Sequence, residues 1–219
     1  MQDPEIQEAT ASEPLTLEEE YAMQRSWRQD PDKVTFIICR PVKECIANKQ
    51  EGQTRIDVPS NMIGDINLFL RVDDGEEGGS EPLIIGEIEL MIAEKVNQGK
   101  GFGKAALLMF LKYILRMQRN IVGEFVGGGA GGVGSECLRR LREGREDGLT
   151  LDWFSVKIGK ENTRSLALFE SVGFTKVSEE ANFFGEFELR REVSGAESVN
   201  EMLEKAGVYR VQVWDLELP

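Results

Sequence analysis

The sequence contains no histidine, which removes the commonest general base and the commonest zinc ligand in proteins. Any group that accepts a proton must then be a carboxylate, a tyrosine, a lysine or water. The three cysteines, Cys39, Cys45 and Cys137, form no CxxC pair, so we expect reduced thiols and no disulfide framework. This composition predicts no metal site.

Positive charge is also scarce. The chain has 26 Lys and Arg residues against 39 Asp and Glu residues, which gives a formal net charge of −13 and a pI near 4.7. This balance disfavours nucleic acid and anionic membranes as partners, because their phosphates repel the chain. No apolar run reaches the ~18 residues that a membrane span needs, and residues 1–5 are too acidic for a signal peptide. We therefore expect a cytoplasmic protein, with the nucleus as the alternative.

Length and composition predict a single domain over residues 1–219. With 219 residues and 41% hydrophobic content, the chain is long enough to bury one substantial core, and no second domain is required. Residues 123–150 break the regular hydrophobic pattern and include a glycine-rich run, so we interpret them as an insertion. Residues 192–219 are the predicted C-terminal extension.

Hydrophobic periodicity predicts both strands and helices. A capping box formed by Thr16 and Glu19 predicts a helix over residues 17–28, and further helices are predicted over residues 105–118 and 163–172. Apolar and β-branched runs predict strands over residues 34–39, 62–72, 83–94, 151–158, 175–178 and 183–190. The fold class is therefore α/β, with a mixed, mostly antiparallel central sheet and helices on both faces.

The most informative segment is a glycine turn between a predicted strand and a predicted helix, Gln98-Gly99-Lys100-Gly101-Phe102-Gly103-Lys104. A helix start exposes unpaired N–H groups and a positive dipole end, and glycines let a phosphate approach both. The spacing does not fit GxGxxG, and Ala105 stands where a P-loop needs Ser or Thr. A second run, residues 127–134, does contain GxGxxG, which keeps a NAD-binding protein as an alternative, although no apolar strand of normal length precedes it.

Three segments resemble the GNAT superfamily of N-acetyltransferases: the strand at residues 84–94, the QxxGxG turn, and residues 162–174, which read NTRSLALFESVGF. More narrowly, residues 10–24 and 86–94 are similar to the N-acetyltransferase 9-like branch of this superfamily. The resemblance implies the GNAT fold and direct transfer of an acetyl group from acetyl-CoA to an amine. The implied acceptor is a protein or a small molecule, with tubulin as a candidate. Taken alone, residues 162–174 also fit a plain helix capped by Asn162 and stopped at Gly173.

The resemblance also assigns the site residues. In a branch of this superfamily a glutamate eleven residues before the loop glutamine is the general base; here that residue is Glu87, with Glu89 as the reserve candidate on the same strand face. Both glutamates also fit the solvated face of an edge strand. The implied contacts to acetyl-CoA, through strand backbone, glycine turn and second helix, are Met91, Ile92, Ala93, Gln98, Gly99, Lys100, Gly101, Phe102, Gly103, Lys104, Asn162, Ser165 and Phe169.

The chain departs from the family pattern in two places. Many relatives have a tyrosine as general acid at the position of Phe169, although a thiol with a pKa of about 8.5 leaves tolerably well without one. We expect Phe169 to pack against the cofactor or the core. Family members also begin with a strand and a helix before the helix at residues 17–28. We therefore expect a sheet without its first strand, with residues 34–39 as an edge that residues 208–214 are suited to cover. These departures keep a second function open, a catalytically weak acyl-CoA-binding or scaffold protein.

Overall fold

The computed structural model describes residues 15–40, 59–74, 81–143, 145, 148–193 and 196–207. Its strands are β1 Lys33–Cys39, β2 Met62–Asp73, β3 Leu83–Ile92, β4 Trp153–Gly159, β5 Thr175–Lys176 and β6 Glu186–Glu192. They form one sheet in the order β1-β2-β3-β4-β6-β5. All neighbours are antiparallel except β3 and β4, which are parallel. The predicted mixed, mostly antiparallel sheet is confirmed.

The helices are α1 Leu17–Trp27, α2 Phe102–Gly127, α3 Ser135–Arg142, α4 Thr163–Glu170 and α5 Ala196–Lys205. Short 3-10 turns lie at Pro59–Asn61, Lys95–Asn97 and Ala130–Gly132. The predicted capping box starts α1: the Thr16 hydroxyl accepts from the Glu19 N–H at 3.3 Å, and the Glu19 carboxylate accepts from the Thr16 N–H at 2.8 Å. Among the helices of the described ranges, none is both long and apolar enough to cross a membrane.

Helix α2 is longer than predicted at both ends. It begins at Phe102 instead of residue 105 and continues to Gly127 instead of residue 118. The helix continues through Gly123 because burial of Val122 and Phe125 in the core outweighs the low helix propensity of this glycine. The first five residues of the predicted insertion therefore belong to this helix.

The two faces of the sheet have opposite character. One face carries Leu68, Leu70 and Ile88 and packs on α2 and α4 in a common core. The crossovers from β3 to β4 and from β4 to β5 step in the same direction across the sheet. Because such crossovers are almost always right-handed, both helices are expected on one face. The other, which we call the polar face, is formed by the alternate residues of β2, β3 and β4, among them Asp65, Asn67, Glu87, Glu89, Ser155 and Lys157.

Helix α1 reaches the polar face at its last residue. The Lys33 ammonium lies 5.4 Å from the Trp27 ring centroid and 5.5 Å from that of Phe69, a polar-face residue of β2. The sheet therefore has helices on both faces, as predicted. Strand β1 lies at a sheet edge, but residues 208–214, which we expected to pair there, lie outside the described residues.

The glycine-rich segment after α2 packs on the body of the domain. Ala130 and Leu141 are buried in the core cluster that contains Ile66 and Leu107. Gly129, Gly131 and Gly132 have positive φ angles, which lets the chain turn within a few residues. Its treatment as an insertion relative to the family stays a prediction.

Two glycine-to-alanine substitutions test this packing with opposite expected signs. A Cβ at Gly64 would overlap the Met91 carbonyl oxygen, so Gly64→Ala should force β2 and β3 apart and lower the free energy of unfolding by about 1–3 kcal/mol. Gly123 is in α2, and a Cβ added there would meet nothing within 4 Å, so Gly123→Ala should raise it by up to ~1 kcal/mol. Urea unfolding measures both, and an unchanged midpoint for Gly64→Ala would contradict the described register.

Candidate functional site

The two central strands separate partway along the sheet. β3 and β4 pair through Ile85↔Trp153, Gly86↔Phe154 and Glu87↔Ser155. Beyond this point β3 continues to Ile92 paired with β2, and β4 continues to Gly159 paired with β6. The central cleft thus opens between residues 88–92 of β3 and 156–159 of β4, at the carboxyl ends of parallel strands, where ligands bind in open α/β sheets.

Gln98 ties the end of β3 to helix α4. Its Nε2 donates to the Ile92 carbonyl at 2.9 Å, and its Oε1 accepts from Arg164 Nη1 at 3.2 Å. Arg164 also lies within 4 Å of a Cβ position at Gly99. The sequence reasoning named Gln98 but missed Arg164, which has no counterpart among the motif residues.

The glycine turn presents an anion cradle, which we define as the backbone N–H groups of residues 99–104. Gly99 and Gly101 have φ angles of 68° and 85°, a region that favours glycine. Within the described chain, these six N–H groups donate to no acceptor; the first helical donor is Ala105, which bonds the Gly101 carbonyl at 3.0 Å. Six unpaired donors at the start of a 26-residue helix favour an anion.

The anion cradle fits the diphosphate of acetyl-CoA. Residues 102–104 form the first turn of α2, so their N–H groups lie at the positive end of its dipole. Lys100 is exposed and Lys104 half-buried, and both stand within the cradle. The predicted cofactor residues 98–104 are therefore brought together, at one end of the central cleft.

The start of helix α4 is capped by the side chain of Asn162. The Asn162 Oδ1 accepts from the Ser165 N–H at 3.1 Å, which confirms the predicted cap. Phe169, expected at the cofactor or in the core, is 3% exposed and packs edge to face on Phe174, with 5.1 Å between the ring centroids. The structure therefore places Phe169 in the core, because it lies on the sheet-facing side of α4.

The strand backbone before the turn differs from the expectation. The Ala93 N–H donates to the Ile63 carbonyl at 2.9 Å, so it points toward β2 and away from the cleft. Since backbone groups alternate along a strand, the groups of Met91 also point toward β2, and those of Leu90 and Ile92 point toward β4. Of the predicted residues 91–93, only Ile92 has its backbone on the cleft, and the sequence reasoning missed Leu90.

Glu87 is the more strongly paired of the two candidate bases. Its carboxylate accepts from Lys157 Nζ at 3.0 and 3.2 Å and lies 4.0 Å from Arg71 Nε. Its side chain is only 18% exposed. Both of its carboxylate oxygens therefore already accept from an ammonium group, which leaves fewer lone pairs for a substrate proton.

Glu89 is free by comparison. It is the first polar-face residue of β3 beyond the last β3–β4 pair, and it makes no hydrogen bond or ion pair with the part of the chain that the structure describes. Its side chain is open to solvent, yet the surrounding protein raises its pKa, first by desolvation and then through the negative charges of Glu87 and Asp65. Lys157 and Lys33 act in the opposite direction.

The polar face also holds residues that the sequence reasoning missed. Asp65 and Asn67 alternate with Ile66 and Leu68 along β2, and this alternation of polar and apolar residues is the signal that marks them. The second glycine run follows helix α2 and not a strand. It therefore lacks the strand–turn–helix geometry of a dinucleotide site, and the NAD alternative is wrong. In residues the structure describes, no three potential metal ligands cluster.

Comparison with known proteins agrees with this geometry. The family model described as "Acetyltransferase (GNAT) domain" matches residues 1–175. The chain is 38% identical to Alpha/beta-tubulin-N-acetyltransferase 9 of Homo sapiens over 197 residues, covering 90% of this chain and 73% of that protein. It is 36% identical to the Drosophila melanogaster protein of the same name, covering 89% and 76%. With an N-acetyltransferase 9-like protein of Schizosaccharomyces pombe it shares 34%, covering 87% and 85%.

Solved structures show the same fold. Spermidine N-acetyltransferase from Vibrio cholerae, in complex with CoA and spermine, superposes with a TM-score of 0.53 at 16% identity, covering 88% of this chain and 85% of that chain. The family match spans well over half of the sequence, and the cleft and the anion cradle lie at the QxxGxG turn within it. The chain therefore belongs to the GNAT family and is an acetyl-CoA-dependent N-acetyltransferase.

Proposed function

We propose that the anion cradle holds the diphosphate of acetyl-CoA, that the central cleft receives its thioester arm, and that Glu89 takes the proton from the acceptor amine. The observation that carries this proposal is the position of two unpaired groups on one cleft. Six N–H donors lie at its far end, and the free Glu89 carboxylate lies where β3 and β4 begin to separate.

The cleft supplies the remaining polar contacts. When bound, acetyl-CoA supplies an acetyl group activated as a thioester. The N–H groups of Leu90 and Ile92 point from β3 into the cleft, where a backbone donor can stabilise negative charge that develops on an acyl oxygen. Asn162 and Ser165 at the start of α4 remain proposed contacts for the cofactor arm, and the Gln98–Arg164 bond keeps that helix start beside the turn.

Glu89 is better suited than Glu87 to act as the base. Protonation of Glu87 would disrupt its ion pair with Lys157, whereas Glu89 has no such partner among the described residues. The raised pKa of Glu89 brings it closer to neutrality, where a general base is most efficient. The Glu89 carboxylate takes one proton from the ammonium form of the acceptor, and the neutral nitrogen then attacks the thioester carbonyl. The C–S bond breaks as the C–N bond forms, and the second proton goes to the departing thiolate.

We propose tubulin as the acceptor protein. The relatives at 38% and 36% identity are both named alpha/beta-tubulin N-acetyltransferases, and each alignment covers about nine tenths of this chain. A tubulin acceptor accords with the cytoplasmic location expected from the composition. The test incubates the purified protein with acetyl-CoA and tubulin heterodimer and measures thiol release together with acetylated sites by mass spectrometry. If thiol is released with unrelated amines but not with tubulin, the proposal that tubulin is the acceptor is wrong, while the enzyme class is unaffected.

Substitution of the proposed base should remove one limb of the pH profile. Since a base works only when deprotonated, kcat should rise with pH through the Glu89 pKa, which lies above the usual 4.5. Glu89→Gln should lower kcat by roughly 10²–10⁴-fold and abolish that rise. Glu87→Gln is the matched control and should keep the ascending limb. If Glu87→Gln loses the limb and Glu89→Gln keeps it, the roles are reversed.

A pair of glycine substitutions isolates the anion cradle. Gly101 and Gly132 have φ angles of 85° and 86° and nothing within 4 Å of a Cβ position. Alanine at either should cost similar stability, about 1–2 kcal/mol of backbone strain. Only Gly101→Ala should also weaken acetyl-CoA binding, by roughly 5–30-fold, because relief of that strain turns the N–H groups away. Calorimetric titration measures the Kd, and equal affinities of the two variants would argue against the cradle.

A further inference from the structure

Asn67 has a buried oxygen that no described group satisfies. Asn67 lies directly opposite Glu89 in the β2–β3 ladder, so the two side chains are neighbours on the polar face. The residue is only 5% exposed, and its Oδ1 accepts no hydrogen bond from the described chain. A buried acceptor without a donor is costly and rare in folded proteins, so it calls for an explanation.

Asp65, two residues before Asn67 on β2, also has a buried oxygen without a donor from the described chain. This oxygen is Oδ1, while its Oδ2 accepts from Asn67 Nδ2 at 3.2 Å. Desolvation raises the Asp65 pKa, and the bond from Asn67 only partly opposes this. Asn67 faces Glu89 across the β2–β3 ladder, and Asp65 is a diagonal neighbour of Glu89 on the same face. The negative charges of Glu87 and Asp65 both act on Glu89.

The cations that face this group are engaged elsewhere. From β1, Lys33 lies 3.4 Å from Asp30 and close to the rings of Trp27 and Phe69. From β4, Lys157 donates to Glu87 of β3. Neither ammonium donates to the two buried oxygens, so the donor that these oxygens require is not supplied by the described residues.

We infer that Asp65, Asn67 and Glu89 form an ammonium seat, which holds the acceptor as a primary ammonium ion before the transfer. This inference rests on the proposed function. A primary ammonium group carries three N–H donors, and the seat offers three acceptors: Asp65 Oδ1, Asn67 Oδ1 and the Glu89 carboxylate. Glu89 takes one proton from the ammonium ion, and the two bonds to Asp65 and Asn67 hold the resulting neutral amine. As its C–N bond forms, the thioester C–S bond breaks, and the second proton goes to the departing thiolate. Asp65 and Asn67 are thus positioning residues and Glu89 the base.

The ammonium seat makes a prediction about stability that a structural role would reverse. Because the folded protein disfavours the charged form of Asp65, its contribution to stability falls as pH rises through its raised pKa. Asp65→Asn removes a group whose charged form the folded protein disfavours, so at neutral pH it should leave the melting temperature equal or higher. If the Asp65 carboxylate instead contributed to folding, its replacement would lower the melting temperature.

Kinetics of two variants and a control test the seat. Asp65→Asn and Asn67→Leu should each raise the KM for the amine by about 10–100-fold, the loss of one charge-assisted hydrogen bond. The KM for acetyl-CoA should not change. Glu188→Gln removes a carboxylate from the same sheet face on β6, where it pairs with Arg190 at 2.7 Å, and should leave both values unchanged. An equal rise in Glu188→Gln would mean that the acidic surface attracts the amine without a specific seat.

Direct binding separates the seat from turnover. Three peptides are titrated in the presence of CoA: one with a free α-amine and no lysine, one with a blocked N-terminus and one lysine, and one with neither. The wild type should bind the first or the second, and so identify the source of the amine, and Asp65→Asn should lose that binding. If the peptide with neither group binds as well, or if no amine peptide binds, the seat is wrong.

The two proposals can fail separately. Asp65-dependent binding without thiol release from any amine would leave the ammonium seat standing and overturn the proposed catalysis by Glu89. If thiol is released and the KM for the amine is unchanged in both Asp65→Asn and Asn67→Leu, the ammonium seat is wrong and the proposed acetyl transfer stands.

Discussion

The separation of β3 from β4 positions each group of the proposed site. Strand backbones need hydrogen-bond partners, and β2 and β6 continue to hold the outer edges of the two central strands after their own pairing ends at Glu87 and Ser155. Beyond this point the edges of β3 and β4 that face each other need other hydrogen-bond partners. Gln98 serves the Ile92 carbonyl, and the groups of Leu90 face an open cleft. The anion cradle and the proposed base are both placed by this one divergence.

Packing on the apolar side of the sheet holds the start of α2 in place. Gly103, in the first turn of α2, lies so close to the core that an added Cβ would contact Leu168, Leu90 and Ile92 within about 4 Å. The start of α2 is therefore packed between the end of β3 and α4. A cradle of backbone N–H groups keeps its shape only if that helix start is fixed, because the groups cannot adjust one by one.

Several groups on the polar face are arranged in a way that does not favour folding. Glu87 and Lys157 satisfy each other, while Glu89, Asp65 and Asn67 keep oxygens without donors from the described chain. Desolvation and then like charges raise the pKa of Glu89, and desolvation raises that of Asp65. This arrangement is unfavourable for folding and suits the proposed binding and deprotonation of a cation. Such concentrations of unsatisfied polar groups are expected at functional sites.

Local patterns were enough to predict the strands, the capped helices, the glycine turn and the family, because these depend on periodicity, cap chemistry and glycine geometry. Contacts in the folded chain were needed to show that Phe169 is buried in the core and that the Ala93 N–H donates to β2. They also show that Glu87 forms an ion pair with Lys157, whereas Glu89 has no ion-pair partner among the described residues. Lys157 and Arg164 are 70 and 66 residues from their partners Glu87 and Gln98. No local pattern encodes a pairing over that distance; it arises only when parallel strands and helix starts meet in the folded sheet.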